Sequence, residues 1–199
     1  MIKLVITRRY SSGRVEFVLN YSDQRPSRTI FYESNCPGFS ETTTNDGIMC
    51  AVIHHAMREV DCLHFSGCVS KKMLLNIMEY QKAWVRWVPE KYSEVQISAD
   101  EISYMGRECS EVVSAYSGGV DAMFSLFKNL PGNASQGLSH NLTACLLVHG
   151  FDIPLSDSAA FEAVQKQAAE LHGQYGVETL WVKTNSRAIL GDWEASFAA

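Results

Sequence analysis

Short apolar runs separated by polar turn-formers open the chain. Lys3 to Thr7, Arg14 to Leu19 and Arg28 to Tyr32 are rich in Val, Ile, Phe and Tyr, and Ser11-Ser12-Gly13 and Ser22-Asp23 punctuate them. They predict three strands. Ser34 to Asp46, with Pro37-Gly38 and three threonines, reads as a loop. From about Asp46 to Val60, Ile48, Ala51, Val52 and Ala56 recur at helical spacing, and Asp46 suits the positive end of a helix dipole. Cys62 to Val69 predicts another strand. Ser70 is placed to cap a long helix with the stripe Met73, Leu74, Ile77, Met78, Trp84 and Val85, ending near Pro89. Val95 to Ser98 predicts one strand more. This amino-terminal part has an α+β pattern without internal repeats.

The composition turns acidic and loop-like around residues 99–111, which places a domain boundary there: residues 1–110 before it, 111–199 after it. Beyond it the pattern changes. Val112 to Tyr116 is a short apolar strand, Asp121 to Leu130 a helix, and Leu142 to His149 an apolar strand. Phe161, Val164, Ala168 and Leu171 make a helical stripe closed by His172-Gly173, and Val177 to Lys183 is a third strand. A βαβαβ unit of this kind demands a parallel sheet with right-handed crossovers. The expected class is therefore α/β, a Rossmann-like parallel sheet preceded by an α+β domain.

Bulk properties remove some function classes. With 46% hydrophobic and 20% charged residues the composition is that of a globular chain. The net charge of −5 argues against a general binder of nucleic acid or anionic membrane. MIKLVITRRY is too short in its apolar run for a signal peptide and carries its basic pair on the wrong side. No stretch approaches the ~18 apolar residues of a membrane span. A cytoplasmic protein is expected, in which the six scattered cysteines are reduced thiols and the triplets Asn133-Ala-Ser and Asn141-Leu-Thr are chance.

The most informative chemistry lies in Ser117-Gly118-Gly119-Val120-Asp121, at the turn from a strand into a helix. Ligands of open α/β sheets bind outside the carboxyl ends of the strands. Glycines there let backbone N–H groups form an anion nest, and the helix amino terminus adds its positive end. A phosphate suits such a nest. There is no GxxxxGK[ST] and no GxGxxG.

The arrangement resembles the PP-loop of the ATP pyrophosphatase family, whose signature is SGGxD followed by Ser or Thr. Its fold is that of the adenine nucleotide alpha hydrolases, and members include asparagine synthetases, the queuosine-precursor synthase and tRNA-modifying enzymes. The resemblance covers roughly residues 111–190, less than half the chain. It implies ATP and Mg²⁺ as cofactors. By resemblance, Ser117, Gly118, Gly119 and Val120 cradle the pyrophosphate end, and Asp121 acts catalytically beside it through Mg²⁺. Val148, His149 and Gly150 would lie near the adenine. The implied reaction is ligase- or amidotransferase-like: a substrate oxygen attacks the α-phosphorus, pyrophosphate leaves, and a nucleophile displaces AMP. Further partners implied are a small-molecule or tRNA substrate. The chain departs from the signature at Ala122, where the family carries Ser or Thr, a hydroxyl that would donate to the phosphates. That departure keeps a second reading open, a non-catalytic nucleotide-binding or interaction module.

Other residues have two readings each. His149 and Asp152 fall on the ligand-facing edge, or else cap the strand and make a turn before Pro154. Arg187, in Thr184-Asn185-Ser186-Arg187 after the third strand, supplies positive charge to a phosphate or is a surface arginine. Cys62-x-His64 with Cys68, and Cys50 with His54, invite zinc, but match no standard site. Trp84 and Trp87 around Arg86 offer a stacking surface, although the apolar stripe favours core packing. Three strands where the family fold has five leave the first strand an open edge. The amino-terminal domain covers it, a homodimer forms there, or the chain is a piece of a longer protein; the last is the expectation.

Overall fold

The computed structural model describes residues 1–11, 13–39, 43–104, 111–130, 133 and 141–191. The heart of the acidic boundary stretch (105–110, with Cys109), Ala134-Ser135 of the first Asn-x-Ser triplet and the closing segment 192–199 lie outside the described residues. The chain divides into two units. The first comprises Met1–Phe31, Ser40–Gly106 and Asn185–Ala199, and the second Tyr32–Phe39 and Arg107–Thr184. Both units are mixed α/β.

In the first unit, β1 (Lys3–Ser11) and β2 (Arg14–Tyr21) form an antiparallel hairpin, followed by the opening of β3 (Arg28–Ser34). Helix α1 (Asp46–Glu59) leads to β4 (Cys62–Ser70), and α2 (Lys71–Trp87) leads to β5 (Gln96–Ser103). Strands β1, β4 and β5 run parallel, so both helices are crossovers. The register pairs Leu4 with Leu63 and Ile6 with Phe65, and all four side chains are buried on one face. Helix α1 packs against β4, and the burial of its Ile48, Met49, Val52 and Ile53 at helical spacing removes apolar surface worth ~1.5–3 kcal/mol per large side chain.

The capping expectation at Ser70 is met: its Oγ accepts from the Met73 N–H at 3.1 Å, while the Ser70 N–H donates to Asp46 Oδ1 at 2.8 Å. The stripe on α2 is narrower than predicted. Ile77 is buried, but Met78 stays exposed, and Trp87, for which core packing is the expectation, is exposed as well because it lies on the last turn of α2. Trp84 packs edge-on among His54, Tyr80 and Tyr92. A buried amide replaces an apolar residue further along, where Gln81 Oε1 accepts from the Val95 N–H at 2.8 Å.

The second unit holds β6 (Val112–Ala115), α3 (Val120–Lys128), β7 (Leu142–His149), α4 (Ser158–Gln174) and β8 (Glu178–Thr184). The three strands are parallel in the order β8-β7-β6. The sequence pattern did not anticipate the neighbour on the far side of β8: the end of β3, Tyr32 to Ser34, pairs with it antiparallel. Side chains hold that edge in register. Ser34 Oγ donates to the Trp181 carbonyl at 2.7 Å, and Asn35 Oδ1 accepts from the Trp181 N–H at 2.8 Å. Strand β7 is largely covered, as parallel strands generally are, whereas Val113 on β6 is half exposed, as suits the last strand in the order. The core joins Tyr116, Leu126, Cys145, Leu147, Phe161 and Ala168. Among the described residues no helix is long and apolar enough to cross a membrane.

Candidate functional site

Where β6 ends, the Tyr116 N–H still donates to the Leu146 carbonyl at 2.8 Å, and the chain leaves the sheet at Ser117. The two glycines that follow have different reasons to be glycine. Gly118 sits at φ +78°, in the region that side chains avoid. Gly119 is the N-cap of α3 at φ −77° and ψ 171°, a conformation open to any residue. A Cβ on Gly119 would meet only Ser117 Oγ, at 3.4 Å, and a Cβ on Gly118 nothing within 4 Å. The fold thus leaves the space above Gly119 open without needing it.

No side chain caps α3, and the Gly119 N–H meets Ser117 Oγ at a long 3.3 Å. Ser117, Gly118, Gly119, Val120 and Asp121 are all exposed. The amino end of α3 therefore presents backbone donors and the positive end of its dipole to solvent. Asp121 is the acidic residue of the first turn. Ala122 is half-buried and packs against the core of this unit.

Beside the loop lies a cleft of about 320 Å³. Tyr116 and Ser117 line it from the end of β6, Val148, Phe151 and Asp152 from the end of β7, and Phe161 from α4. That volume falls at the small end of ligand pockets. The β7–α4 loop is built tightly. The Gly150 N–H donates to the Ile153 carbonyl at 2.9 Å, and His149 Nε2 lies 3.0 Å from the Pro154 carbonyl, so Nε2 carries the proton. The His149 ring stacks flat on Phe161, 4.3 Å between centroids and 5° between planes.

The chain matches no protein-family model, no curated protein and no solved structure. What the site can do follows from its own geometry.

Of the residues expected near an adenine, Val148 lines the cleft, while His149 and Gly150 do not. His149 is 1% exposed and pins the loop from inside, close to the second of its two sequence readings. Gly150 sits at φ +109°, where a Cβ would lie 1.9 Å from the Thr184 carbonyl oxygen, so its lack of a side chain has a structural reason. Arg187 belongs to α5 (Ser186–Leu190) of the first unit, whereas the Ser117–Asp121 loop belongs to the second. The Cys62 and His64 pair is engaged otherwise: His64 bonds Ser98 and Asp100, and His54 bonds Tyr80 at 2.6 Å. Among the described residues no three His, Cys, Asp or Glu side chains cluster as a metal centre would need.

Tyr116, Phe151 and Phe161 escaped the sequence reading as site residues. The rule that ligands sit outside strand carboxyl ends was the signal available for Tyr116 and Phe151. Asp152 brings a carboxylate to the cleft lining. Burial raises the pKa of the Tyr116 phenol in that lining and, in the core outside it, raises the Cys145 thiol and lowers His172, so each of these three stays neutral near pH 7. None of the three is an activated nucleophile. The arrangement suits a ligand with an anionic end at the loop and a flat apolar body in the cleft.

Proposed function

We propose that the second unit binds ATP, with the phosphates on the Ser117–Asp121 loop and the adenine toward the cleft, in a Rossmann-like nucleotide domain. The observation that carries this reading is Gly119, an exposed N-cap glycine with no conformational need to be one. Backbone donors and a helix dipole stabilise a phosphate there, and the apolar lining offers faces for a purine.

Asp121 makes the cation part of the same reading. A carboxylate in the first turn of α3 would repel a phosphate on that turn unless a cation lay between them. Mg²⁺ is held by one or two carboxylates plus phosphate oxygens, so Asp121 is the donor this chain would supply. When bound, the ion neutralises charge on the phosphates. The chain's own contribution is placement: Ser117, Gly118 and Gly119 orient the phosphates through backbone N–H groups, and the cleft excludes water from one side. Chemistry that needs only positioning and charge stabilisation suits a site without an activated side-chain nucleophile. The reaction proposed is adenylation of a carboxylate or carbonyl oxygen with release of pyrophosphate.

Purified protein incubated with ATP, Mg²⁺ and candidate carboxylates should release pyrophosphate and AMP in equal amounts, measured by coupled assay and chromatography. ADP as the product contradicts the mechanism. Ala122 favours a second reading, nucleotide binding without turnover, because a hydroxyl the signature supplies is replaced by a methyl packed on the core. One charge-assisted hydrogen bond is worth ~1.5–3 kcal/mol, enough to weaken ATP binding without abolishing it. Stabilisation by ATP with neither product formed would select that second reading.

A further inference from the structure

On the sheet face of the first unit that carries Lys3, Val5, His64, Ser98 and Asp100, three side chains form a connected relay. His64 of β4 lies opposite Ser98 of β5 in the parallel register. Its Nδ1 is 2.9 Å from Ser98 Oγ, and its Nε2 is 3.1 Å from Asp100 Oδ1. A carboxylate only accepts, so Nε2 carries the proton and Nδ1 is left as the acceptor for the Ser98 hydroxyl.

The carboxylate is itself fixed. The pairing of β4 with β5 is broken between Phe65 and Cys68 by a bulge, where Gly67 adopts φ +102°. That turn aims the Gly67 N–H at Asp100 Oδ2, 2.8 Å away. The bond, followed by the one from His64, holds the Asp100 carboxyl below the usual carboxylate range. Bulges commonly re-aim groups beside functional sites. Ser98 is exposed, so its hydroxyl is open to a reagent.

We propose that Ser98, His64 and Asp100 form a nucleophilic relay that accepts an acyl group from an activated ester onto Ser98 Oγ. This is independent of the nucleotide site. In the step, Ser98 Oγ bonds the acyl carbon while its proton passes to His64 Nδ1. The bond from that carbon to the leaving alkoxide or phenoxide then breaks, and the imidazolium returns the proton to the departing oxygen. Asp100 acts through His64 as a positioning residue, holding Nε2–H and so keeping Nδ1 free to accept.

The test uses the full chain and p-nitrophenyl acetate, followed by p-nitrophenol release and by peptide mapping of the acetyl adduct. One adduct is expected, on Ser98. Ser98→Ala should remove it, and Ser98→Cys, which keeps a nucleophile, should retain it. His64→Gln should slow acylation about 10²-fold or more, and added imidazole should restore part of the rate in His64→Ala. Asp100→Asn should slow it about tenfold when assayed well below the variant's own melting temperature, where the chain is fully folded, a loss that a purely structural carboxylate would not produce. Acetylation confined to lysines and the amino terminus, or labelling of Ser98 at the same rate in His64→Gln, overturns the proposal.

Discussion

Gly150→Ala is expected to destabilise the second unit by about 3–5 kcal/mol, because among the glycines with described surroundings it alone would place a Cβ within 3 Å of another atom. Two costs coincide there. The backbone at φ +109° is strained for any side chain, at about 1–3 kcal/mol. The new Cβ would also lie 1.9 Å from the carbonyl oxygen of Thr184 and 3.1 Å from its carbon. Backbone at the end of β8 cannot swing aside as a flexible side chain does, so the loop must move. That movement loosens the Gly150 N–H to Ile153 bond and the His149 contact to Pro154, which together shape the cleft. At about 2–4 °C per kcal/mol for a chain of this size, the melting temperature should fall by about 10 °C. A shift within about 2 °C would mean that the close approach at Thr184 is wrong.

The second large effect is loss of stability in mild acid, centred on His55 of α1. Its ring is 6% exposed, and Nε2 lies 2.7 Å from the Tyr21 hydroxyl. Burial above all, with help from Arg58, Arg28 and Arg25, lowers its pKa from 6.5 to about 4, against an opposing pull from Glu59. The folded chain therefore keeps His55 neutral where the unfolded chain already binds a proton. Stability contributed by the neutral ring is fully present above pH 6.5 and drains away as the pH falls toward 4, at up to ~1.4 kcal/mol per pH unit. His54 and His172 are lowered by burial too and add to the same slope. Urea titrations between pH 7 and pH 4 measure it. His55→Gln should flatten the slope by nearly one proton's worth, and an unchanged slope would show that His55 is not buried neutral.

Much of the second unit was legible in the sequence because its elements are long, apolar and locally punctuated. Leu142 to His149 is the observed β7 to the residue, and the helix predicted from Asp121 starts one position earlier, at Val120. Strand β5 was cut short at Ser98 because Ser98, Asp100 and Glu101 are polar, a face that a period-based reading takes for loop. The tail of β3 was missed for a different reason: its partner, β8, lies about 150 positions away, and the bonds from Ser34 and Asn35 that help fix it leave no local pattern in the sequence. The same limit applies to the sites. The Ser117–Asp121 loop is contiguous and could be found by eye. The cleft residues Phe151 and Phe161 converge only because Gly150 permits a sharp turn against Thr184, and His64 meets Ser98 only through strand register. His149 was ambiguous because a strand-end histidine can face ligand or core, and packing on Phe161 decided it.

The claim that the Ser117–Asp121 loop holds the phosphates of ATP is tested most directly by Gly119→Asp, read by thermal unfolding with and without Mg²⁺ and ATP. Aspartate is a favoured N-cap and suits the extended backbone at Gly119, so α3 should be as stable as before or more so. The same carboxylate would sit where a phosphate must, and would repel it. Wild-type protein with ATP at about 100 times its dissociation constant should gain ~2.7 kcal/mol. Gly119→Asp should melt at or above the wild-type temperature without ATP and gain nothing when ATP and Mg²⁺ are added. No stabilisation of the wild type by ATP, or equal stabilisation of Gly119→Asp, would contradict the account.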